Sequence, residues 1–542
     1  MLARCSTAAL QGLAARPVTV EVDIGPGLPG LALVGLADAA VQEARERVRA
    51  ALRHSGFRPP QGRVVVNLAP ADLRKEGPGF DLPVALGLLQ ASGQLAAAAV
   101  EGVWSCAELG LDGTLRPVRG LLPVALQARR QGARALLVAA ANGREAALVE
   151  GLRVWTASDL AGAVAVLQSG GRLAAAPADG ASPLEPCRAA GSPSALEEPA
   201  DLAEVRGQLH GRRALAIAAA GGHHLLLVGP PGSGKTMLAR RLAGLLPPLR
   251  RSEAMELTEI HSVAGLLGDH AALVRQRPFR APHHSCSGAA LIGGGSRPRP
   301  GELSLAHNGV LFLDELGEFR PWVLDLLRQP LEEGEVRLQR RRQRCRFPCR
   351  ITLVAATNPC RCGWYGDPER ECRCSAAERL RYWGRLSGPL LDRLDLQVVM
   401  RRPPAAALAE PFRSPSGGRE GNAASRDRIT PTGRTPAGSA TDSSAAVAAT
   451  VAHAHRRMAR RNPGGCSNAR LSGRALEQVL QLEPAALGLW EQALEQRQLS
   501  GRAAARLLRV ALTISDLDGQ SQVGAGAIAE ALTYRSFDQP QR

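Results

Sequence analysis

Apolar residues recur with different spacings along the chain, and these spacings predict three folded segments. Residues 1–170 alternate strand-like runs such as VTVEVDI, RVVVNLA and ALLVAA with the helical pattern DAAVQEARERVRAAL, which indicates an α/β or α+β domain. Residues 201–402 alternate apolar strands with amphipathic helices, the pattern of an α/β domain with a mostly parallel sheet. Residues 448–542 carry apolar positions at three-to-four spacing, as in GRAAARLLRVALTISDL, and predict a helical domain.

Two stretches between these segments lose the hydrophobic periodicity. Residues 171–200 are rich in Ala, Pro, Gly and Ser, and residues 403–447 combine Ser, Gly, Pro and Arg without an apolar repeat. Sequences of this composition cannot bury enough apolar surface to form a core. We therefore predict a linker at 171–200 and a disordered linker at 403–447.

The charge balance adds an expectation about partners. The 542 residues carry a formal net charge of +17, which favours a polyanion such as nucleic acid or a membrane surface. An Arg- and Ala-rich composition inherited from the genome explains the same charge equally well. Aromatic residues make up only 3% of the chain, so arginine contacts to a nucleic-acid backbone fit better than stacked bases.

The chain also lacks the signals of membrane insertion and secretion. No apolar run reaches the ~20 uncharged residues of a membrane helix, and the first apolar segment is too short and broken for a signal peptide. The cysteines number 11, an odd count with four in one tight cluster, unlike a secreted disulfide framework. We expect a soluble cytoplasmic protein with no membrane partner.

One of only two lysines in the chain lies in a phosphate-binding motif. The sequence GPPGSGKT fits G-x-x-x-x-G-K-[ST] and stands between the apolar strand HHLLLV and the helix TMLARRLAGLL, which is the context that this motif requires. Its glycines let backbone N–H groups surround phosphate oxygens, Lys235 reaches the β- and γ-phosphates, and Thr236 offers a hydroxyl to Mg²⁺. The predicted ATP-binding residues are Gly229, Pro230, Pro231, Gly232, Ser233, Gly234, Lys235 and Thr236.

Two later strands end in residues that suit ATP hydrolysis. The strand in NGVLFLDELGEF ends in Asp314 and Glu315, which predicts Asp314 as a second Mg²⁺ contact and Glu315 as the residue that polarises the attacking water. The strand in RITLVAATNP ends at Asn358, which is placed to orient that water. Three such elements in this order predict an ATPase that uses ATP and Mg²⁺.

Together these elements resemble the AAA+ ATPases. More narrowly, RPFRAPHHSCSGAALIGGGSRPRPGELSLAHNGVLFLDELGEF and SGPLLDRLDL resemble the magnesium-chelatase-like ComM/YifB family, and the resemblance extends from GLPGLALVGLADAAVQEARERVRAAL to LLRVALTISDLDG. It implies a homo-oligomeric ring, usually a hexamer, with ATP at the subunit interfaces. By this resemblance Arg393 is an arginine finger and Arg502 the sensor arginine of a helical lid, with Arg506 and Arg509 as alternatives. Surface ion pairs are the alternative role for each of these arginines.

The first segment resembles the proteolytic domain of Lon, in LRKEGPGFDLPVALGLL and AELGLDGTLRPVRGLLPVALQARRQG. Gly79 occupies the place of the catalytic serine, and the stretch corresponding to the catalytic lysine, RPVRGLLPV, contains no lysine. Peptidase chemistry then has neither nucleophile nor base. We expect an inactive Lon-like domain reused for assembly or DNA contact, in which Lys75 is a structural ammonium or a DNA contact.

Four cysteines directly after Asn358 form the pattern C-x-C-x₉-C-x-C: Cys360, Cys362, Cys372 and Cys374. Four thiolates within fifteen residues suit tetrahedral zinc, although C-x-C is tighter than the usual C-x₂₋₄-C and reduced cysteines in a hairpin are the alternative. We predict that Cys345 and Cys349 are buried strand residues and not metal ligands. His283 and His284 read as polar loop residues rather than metal ligands.

A strand–basic turn–strand pattern, GEVRLQRRRQRCRFPCRITLV, precedes the strand that ends at Asn358. Related AAA+ motors project a hairpin here toward the ring's pore, so the predicted DNA contacts are Arg340, Arg341, Arg342 and Arg344. A solvated basic hairpin is the alternative.

The resemblance implies an ATP-driven ring motor on single-stranded or branched DNA, without sequence preference, with helicase-like branch migration during natural transformation. The alternative is a chelatase-type ATPase that remodels a metal-insertion partner. The Lon-like domain, the charge of +17 and the absence of a D-x-S-x-S motif weigh against that alternative.

Overall fold

The computed structural model describes residues 2–174, 201–268, 272–295, 298–340, 343–403 and 443–535. Within these ranges the chain has an N-terminal mixed sheet with helices, a central parallel sheet with helices, and a C-terminal group of helices. No helix in the described residues is long and apolar enough to cross a membrane.

The N-terminal domain is built on a seven-stranded sheet whose strand order is β3-β4-β2-β1-β5-β8-β9. The hydrophobic alternation VTVEVDI places Val18, Val20 and Val22 on the buried face of β2. β1 and β2 are antiparallel and are joined by a tight turn at Gly12 and Leu13, where Gly12 adopts φ +67°. The strands are β1 Ala3–Gln11, β2 Ala14–Gly25, β3 Gly30–Val34, β4 Arg63–Ala69, β5 Val103–Cys106, β6 Glu108–Leu109, β7 Leu115–Arg116, β8 Ala135–Ala139 and β9 Val154–Ala157.

Helices cover this sheet and form two apolar clusters. The first begins at the N-cap Asp38, whose carboxylate accepts a hydrogen bond of 2.9 Å from the Val41 N–H and so satisfies a free donor of the first turn. The α-helices of the domain are Ala39–His54, Asp81–Ala91, Ala97–Val100, Leu121–Arg130, Gly143–Ala147 and Leu160–Gln168.

The central domain contains a five-stranded parallel sheet with the order β11-β14-β17-β10-β18. Its inner strands are buried along their whole length and mostly apolar, since helices cover both faces of the sheet. Two separate antiparallel pairs, β12–β13 and β15–β16, accompany it. The strands are β10 Leu225–Val228, β11 Phe279–Arg280, β12 Gly293–Gly294, β13 Arg299–Pro300, β14 Val310–Leu313, β15 Glu335–Arg340, β16 Gln343–Pro348, β17 Thr352–Thr357 and β18 Leu396–Val399.

The helices of this domain cover both faces of the sheet. Leu209–Gly221 and Lys235–Leu245 pack with one apolar cluster, and the short helices between β14 and β15 pack with another. The α-helices are Leu209–Gly221, Lys235–Leu245, Arg251–Ala264, Gly288–Ile292, Glu302–Leu305, Pro321–Asp325, Arg328–Glu333, Ala376–Trp383 and Gly388–Leu391.

The C-terminal domain is helical and shares a core with the central sheet. Leu507 and Ala511 lie in the same apolar cluster as Leu225 of β10 and Val354 of β17. Its α-helices are Ser444–Arg461, Gly473–Val479, Pro484–Arg497, Gly501–Leu517 and Ala525–Thr533. The first begins before residue 448, where the sequence pattern had placed the domain boundary. The observed architecture confirms the predicted α/β fold with a parallel sheet and a helical C-terminal region.

Candidate ATPase site

The carboxyl ends of three neighbouring strands bring the predicted ATPase residues together. β14, β17 and β10 run parallel in adjacent positions, with Leu313 paired to Ala355 and Val228 paired to Thr357. Asp314, Asn358 and the loop that starts at Gly229 each follow one of these strands. Parallel strands therefore deliver all three groups to one edge of the sheet, where ligands bind in open α/β folds.

The backbone of the loop Gly229–Thr236 requires its glycines. Gly232 and Gly234 adopt φ +78° and +86°, and Gly234 is the N-cap of the helix Lys235–Leu245. A Cβ atom at Gly229 would lie 2.5 Å from the Met400 carbonyl oxygen, so the packing excludes a side chain there. The loop consequently directs backbone N–H groups of the helix N-terminus toward an anion.

Lys235 lies folded over this loop. Its Nζ donates hydrogen bonds to the Gly229 oxygen at 2.7 Å and the Pro230 oxygen at 2.9 Å, and it lies 3.3 Å from Asn358 Oδ1. Burial lowers the pKa of Lys235 to about 8, and the charges of Asp314 and Glu315 oppose that change. The ammonium form therefore predominates at neutral pH, as phosphate binding requires.

The residues after β14 are arranged for metal binding and proton transfer. The Thr236 hydroxyl donates a hydrogen bond of 2.8 Å to Asp314 Oδ2, which holds two oxygen ligands suited to Mg²⁺ side by side. Glu315 adopts φ +52°, a left-handed conformation that is uncommon for a non-glycine residue. Its N–H donates to Asp314 Oδ1 at 3.0 Å, and its carboxylate remains more than half exposed.

The loop also contains a buried hydroxyl that a polyphosphate could pair with. Ser233 is 1% exposed, and its hydroxyl has no hydrogen-bond partner within the described residues. An unpaired buried hydroxyl is costly unless a ligand supplies the partner. With Lys235, Thr236 and Asp314 beside it, this donor set fits a magnesium-bound nucleoside triphosphate.

His284 is a site residue that sequence analysis missed. Its Nδ1 lies 3.1 Å from Glu315 Oε2, and its ring lies tilted beside that of His283 with 4.0 Å between centroids. β11 pairs with β14 in parallel, so residues that follow β11 reach the same edge of the sheet as Glu315. Both histidines lie in a loop, as predicted. The contact with Glu315 was not predictable, because β11 has only two residues and a strand this short shows no hydrophobic periodicity.

The four predicted cysteines converge beside the loop. Their Sγ atoms all lie within 4.8 Å of one another, with separations of 3.3, 3.7 and 3.6 Å among Cys360, Cys362 and Cys372. Tetrahedral zinc with Zn–S bonds near 2.3 Å separates its sulfurs by about 3.8 Å, whereas a disulfide needs about 2 Å. The arrangement therefore fits a zinc ion and not a disulfide.

This cysteine cluster is in contact with the phosphate loop. A Cβ atom at Gly363 would lie 2.8 Å from Pro231 Cδ, so the two loops touch. Trp383 Nε1 donates to the Pro359 oxygen at 3.0 Å, next to Asn358. The cysteine loop therefore lies against both the phosphate loop and the segment that carries Asn358.

Arg393 and Arg502 lie at the opposite edge of the sheet, where the amino ends of the parallel strands meet. They line a cavity of about 590 Å³ together with His224, Ile351 and Asp395, which immediately precede β10, β17 and β18. A four-residue strand is about 13 Å long, so these arginines are separated from the phosphate loop of their own chain by the length of the sheet. Six arginines line the cavity: Arg350, Arg393, Arg470, Arg502, Arg506 and Arg509.

The arginines of this cavity differ in their pairing. Arg393 forms an ion pair of 2.7 Å with Glu332 and donates to the Pro389 oxygen at 2.6 Å. Arg506 lies 3.8 Å from Asp395, and Arg509 has a buried Nε without a partner among the described residues. Arg502 is exposed and has no ion pair within the described part of the chain. The cavity therefore offers a concentration of positive charge to an anion.

The Lon-like centre of the N-terminal domain cannot hold a serine without rearrangement. A Cβ atom at Gly79 would lie 2.9 Å from Cys106 Sγ. Lys75 is fully buried and donates to the Pro70 oxygen. Its burial excludes the DNA contact considered from the sequence and leaves the structural role.

The basic hairpin presents one polar and one apolar face. Arg344 and Arg346 are exposed on β16, while Val336, Cys345 and Phe347 are buried on the other face. The backbone alone is described for Arg340, and Arg341 and Arg342 lie outside the described residues. Arg346 was not among the residues predicted from the sequence. Cys349 is buried as expected but lies just after β16.

Comparisons with known proteins place the whole chain. The chain is 42% identical to YifB of Salmonella typhimurium over 541 residues, which cover 99% of this chain and 97% of YifB. It is 42% identical to the competence protein ComM of Haemophilus influenzae over 530 residues, which cover 98% of this chain and 96% of ComM. The chain belongs to the ComM/YifB family.

Family models agree with this membership in the ComM/YifB family. The model of magnesium chelatase subunit ChlI matches residues 201–408, a second model of subunit ChlI of Mg-chelatase matches residues 20–142, and the C-terminal model matches residues 441–535. Lon protease 2 of Bacillus subtilis is 29% identical over 144 residues, 26% of this chain and 26% of that protease. This ComM/YifB member is therefore a magnesium-chelatase-like AAA+ ATPase with a Lon-like N-terminal region, as the motifs predicted.

Proposed function

We propose that this protein is an ATP-driven, ring-forming motor that acts on DNA. The observation that carries ATP hydrolysis is the convergence of Lys235, Thr236, Asp314, Glu315 and Asn358 at one edge of the central sheet. In this proposal Lys235 binds the β- and γ-phosphates, and Thr236 and Asp314 hold Mg²⁺. Glu315 accepts a proton from the attacking water, which Asn358 orients.

The position of two arginines supports the proposed ring. Because Arg393 and Arg502 lie at the far edge of the sheet, we propose that they complete the site of a neighbouring subunit. Glu332 holds the Arg393 guanidinium in place by its 2.7 Å ion pair. AAA+ relatives form rings that are usually hexamers, and we propose the same assembly here.

The DNA contact in this proposal is the polar face of the hairpin β15–β16. Arg344 and Arg346 point away from the apolar core and have no ion pair within the described residues, so their charge is available to phosphates. Arg340, Arg341 and Arg342 belong to the same proposed contact. The related protein ComM is a competence protein, and this supports helicase-like branch migration on single-stranded or branched DNA during natural transformation.

Replacing both Arg344 and Arg346 by alanine is expected to weaken DNA binding and to lower its salt dependence. Each lost phosphate contact reduces the slope of log K against log salt by about 1. The measurement is fluorescence anisotropy with labelled oligothymidine at several salt concentrations. The matched control is Arg456→Ala, which removes an exposed arginine from the helix Ser444–Arg461 and leaves binding unchanged.

Wild-type salt dependence in the double variant would contradict the hairpin contact. The result would favour the second function, a chelatase-type ATPase that remodels a metal-insertion partner, if the wild-type protein neither binds DNA nor hydrolyses ATP faster when DNA is added. The match to the magnesium chelatase models keeps that second function open to test.

We also propose that Cys360, Cys362, Cys372 and Cys374 bind a structural zinc ion. Their sulfur separations fit tetrahedral coordination by four thiolates. The ion would fix the loop that touches Pro231.

Protein purified without chelator is expected to contain about one zinc per chain, and Cys362→Ser to lose it. Inductively coupled plasma mass spectrometry gives the stoichiometry. Cys466→Ser serves as the control, because Cys466 is a free cysteine outside the cluster. Wild-type protein with substoichiometric zinc after refolding in excess zinc would rule out the site.

A further inference from the structure

The turn between β1 and β2 of the N-terminal domain lies under the basic hairpin of the central domain. A Cβ atom at Gly12 would lie 3.2 Å from Cys345 Cβ and 3.7 Å from Phe347 Cζ. Leu13 packs against the apolar cluster that contains Val336, Cys345 and Phe347. The Lon-like domain therefore contributes side-chain contacts to a structural element of the ATPase domain.

The strand register shows what this contact does to the hairpin. Arg337 pairs with Arg346, and Gln339 pairs with Arg344, so these four residues share one face. Val336 and Cys345 project from the opposite face and are buried. An isolated two-stranded hairpin is marginally stable in water and needs packing against one face. The turn at Leu13 supplies part of that packing.

A second contact joins the two domains independently of this turn. The Gly120 N–H donates to the Ser262 oxygen at 3.1 Å, and the Ser262 hydroxyl donates to the buried carboxylate of Glu145. Met255 packs against the apolar cluster beneath the helix Leu121–Arg130. The N-terminal domain is therefore held to the ATPase domain even if the packing at Leu13 is reduced.

We propose that the Lon-like domain positions the DNA-binding hairpin, with Leu13 as the positioning residue. This inference rests on the proposed DNA contact of Arg344 and Arg346. Leu13 immobilises the apolar face of the hairpin, so that its arginines are held in one orientation before DNA arrives. If the hairpin is mobile in the free protein, it must become ordered when DNA binds. The free energy lost in this ordering lowers the affinity for DNA. Leu13 is not among the residues assigned to nucleotide binding or hydrolysis, so we expect basal ATP hydrolysis to stay unchanged.

The test compares Leu13→Ala with Leu13→Met in the full-length protein. ATPase rates are measured against the concentration of single-stranded oligothymidine. We expect Leu13→Ala to raise the DNA concentration for half-maximal stimulation about tenfold, with the rate without DNA unchanged, and Leu13→Met to restore the wild-type response because it refills the space. Leu111→Ala is the matched control, since Leu111 is 58% exposed in another turn of the same domain.

Each outcome decides the proposal. A wild-type DNA response in Leu13→Ala overturns it, and so does an equal loss of basal and stimulated activity. If Leu13→Ala does not fold, as judged by circular dichroism, the smaller truncation Leu13→Val is expected to give a several-fold change in the same direction, and no change overturns the proposal. If the Arg344/Arg346 double variant binds DNA as tightly as the wild-type protein, the proposed DNA contact is wrong, and this conclusion does not depend on the results for the Leu13 variants.

Discussion

Replacing Glu315 by glutamine is expected to lower the rate of ATP hydrolysis at least about 100-fold while nucleotide binding persists. A glutamine keeps the size of the side chain and its hydrogen bonds but cannot accept a proton, and general-base catalysis is worth about 10²–10⁴ in rate. Lys235, Thr236 and Asp314, which we assign to phosphate and magnesium, are untouched by the change.

Steady-state phosphate release and equilibrium binding of a fluorescent ATP analogue measure the two quantities separately. Glu318→Gln is the matched control, because Glu318 lies three residues along the chain, is half-exposed, and forms only a 3.6 Å surface ion pair with Arg385. A Glu315→Gln variant that hydrolyses ATP at the wild-type rate would remove Glu315 from its role.

Replacing Arg393 by alanine is expected to lower ATP hydrolysis about 1000-fold, the lower range for an arginine finger. The reason is geometric: Arg393 lies at the edge of the sheet opposite to the phosphate loop of its own chain, and we propose that it serves the site of a neighbouring subunit. Arg328→Ala is the control, since Arg328 begins the helix that carries Glu332 and has only a 3.8 Å exposed ion pair with Asp325.

Mixing two inactive variants tests the shared site directly. Subunits with Arg393→Ala keep an intact phosphate loop, and subunits with Lys235→Ala keep an intact Arg393. In a mixed ring the second subunit completes the site of the first, so activity reappears in the mixture at a fraction of the wild-type rate. Rings that assemble from both variants yet show no recovered activity would contradict a site shared between subunits.

The local motifs of the ATPase site could be predicted from the sequence for a physical reason. A phosphate loop is one continuous segment whose glycines, lysine and threonine act through the backbone next to them. Asp314, Glu315 and Asn358 follow strands that are buried on both faces and mostly apolar, and parallel strands present their carboxyl ends together. The loss of Lon-type peptidase activity could also be predicted from the sequence, because Gly79 stands at the position of the catalytic serine and has no side chain that could react.

Contacts between distant segments could not be predicted in the same way. His284 meets Glu315 because the two-residue strand β11 pairs with β14, and two residues carry no periodicity. The sequence suggested DNA contacts at Arg344 but not at Arg346, since only the structure shows that β16 contains both residues and that the face they share is exposed. The contact of Gly363 with Pro231 joins loops from different strands.

By itself the sequence determined that this chain has the residues of a AAA+ ATPase, a Lon-like domain without catalytic residues and four cysteines spaced for a metal. Those conclusions depend on residues near one another in the chain. Only the tertiary structure decided that Arg393 and Arg502 lie at the opposite edge of the sheet from Lys235, and that the turn at Gly12 and Leu13 lies against the basic hairpin. Both depend on which surfaces pack together, and packing joins residues whose separation along the chain carries no local signal.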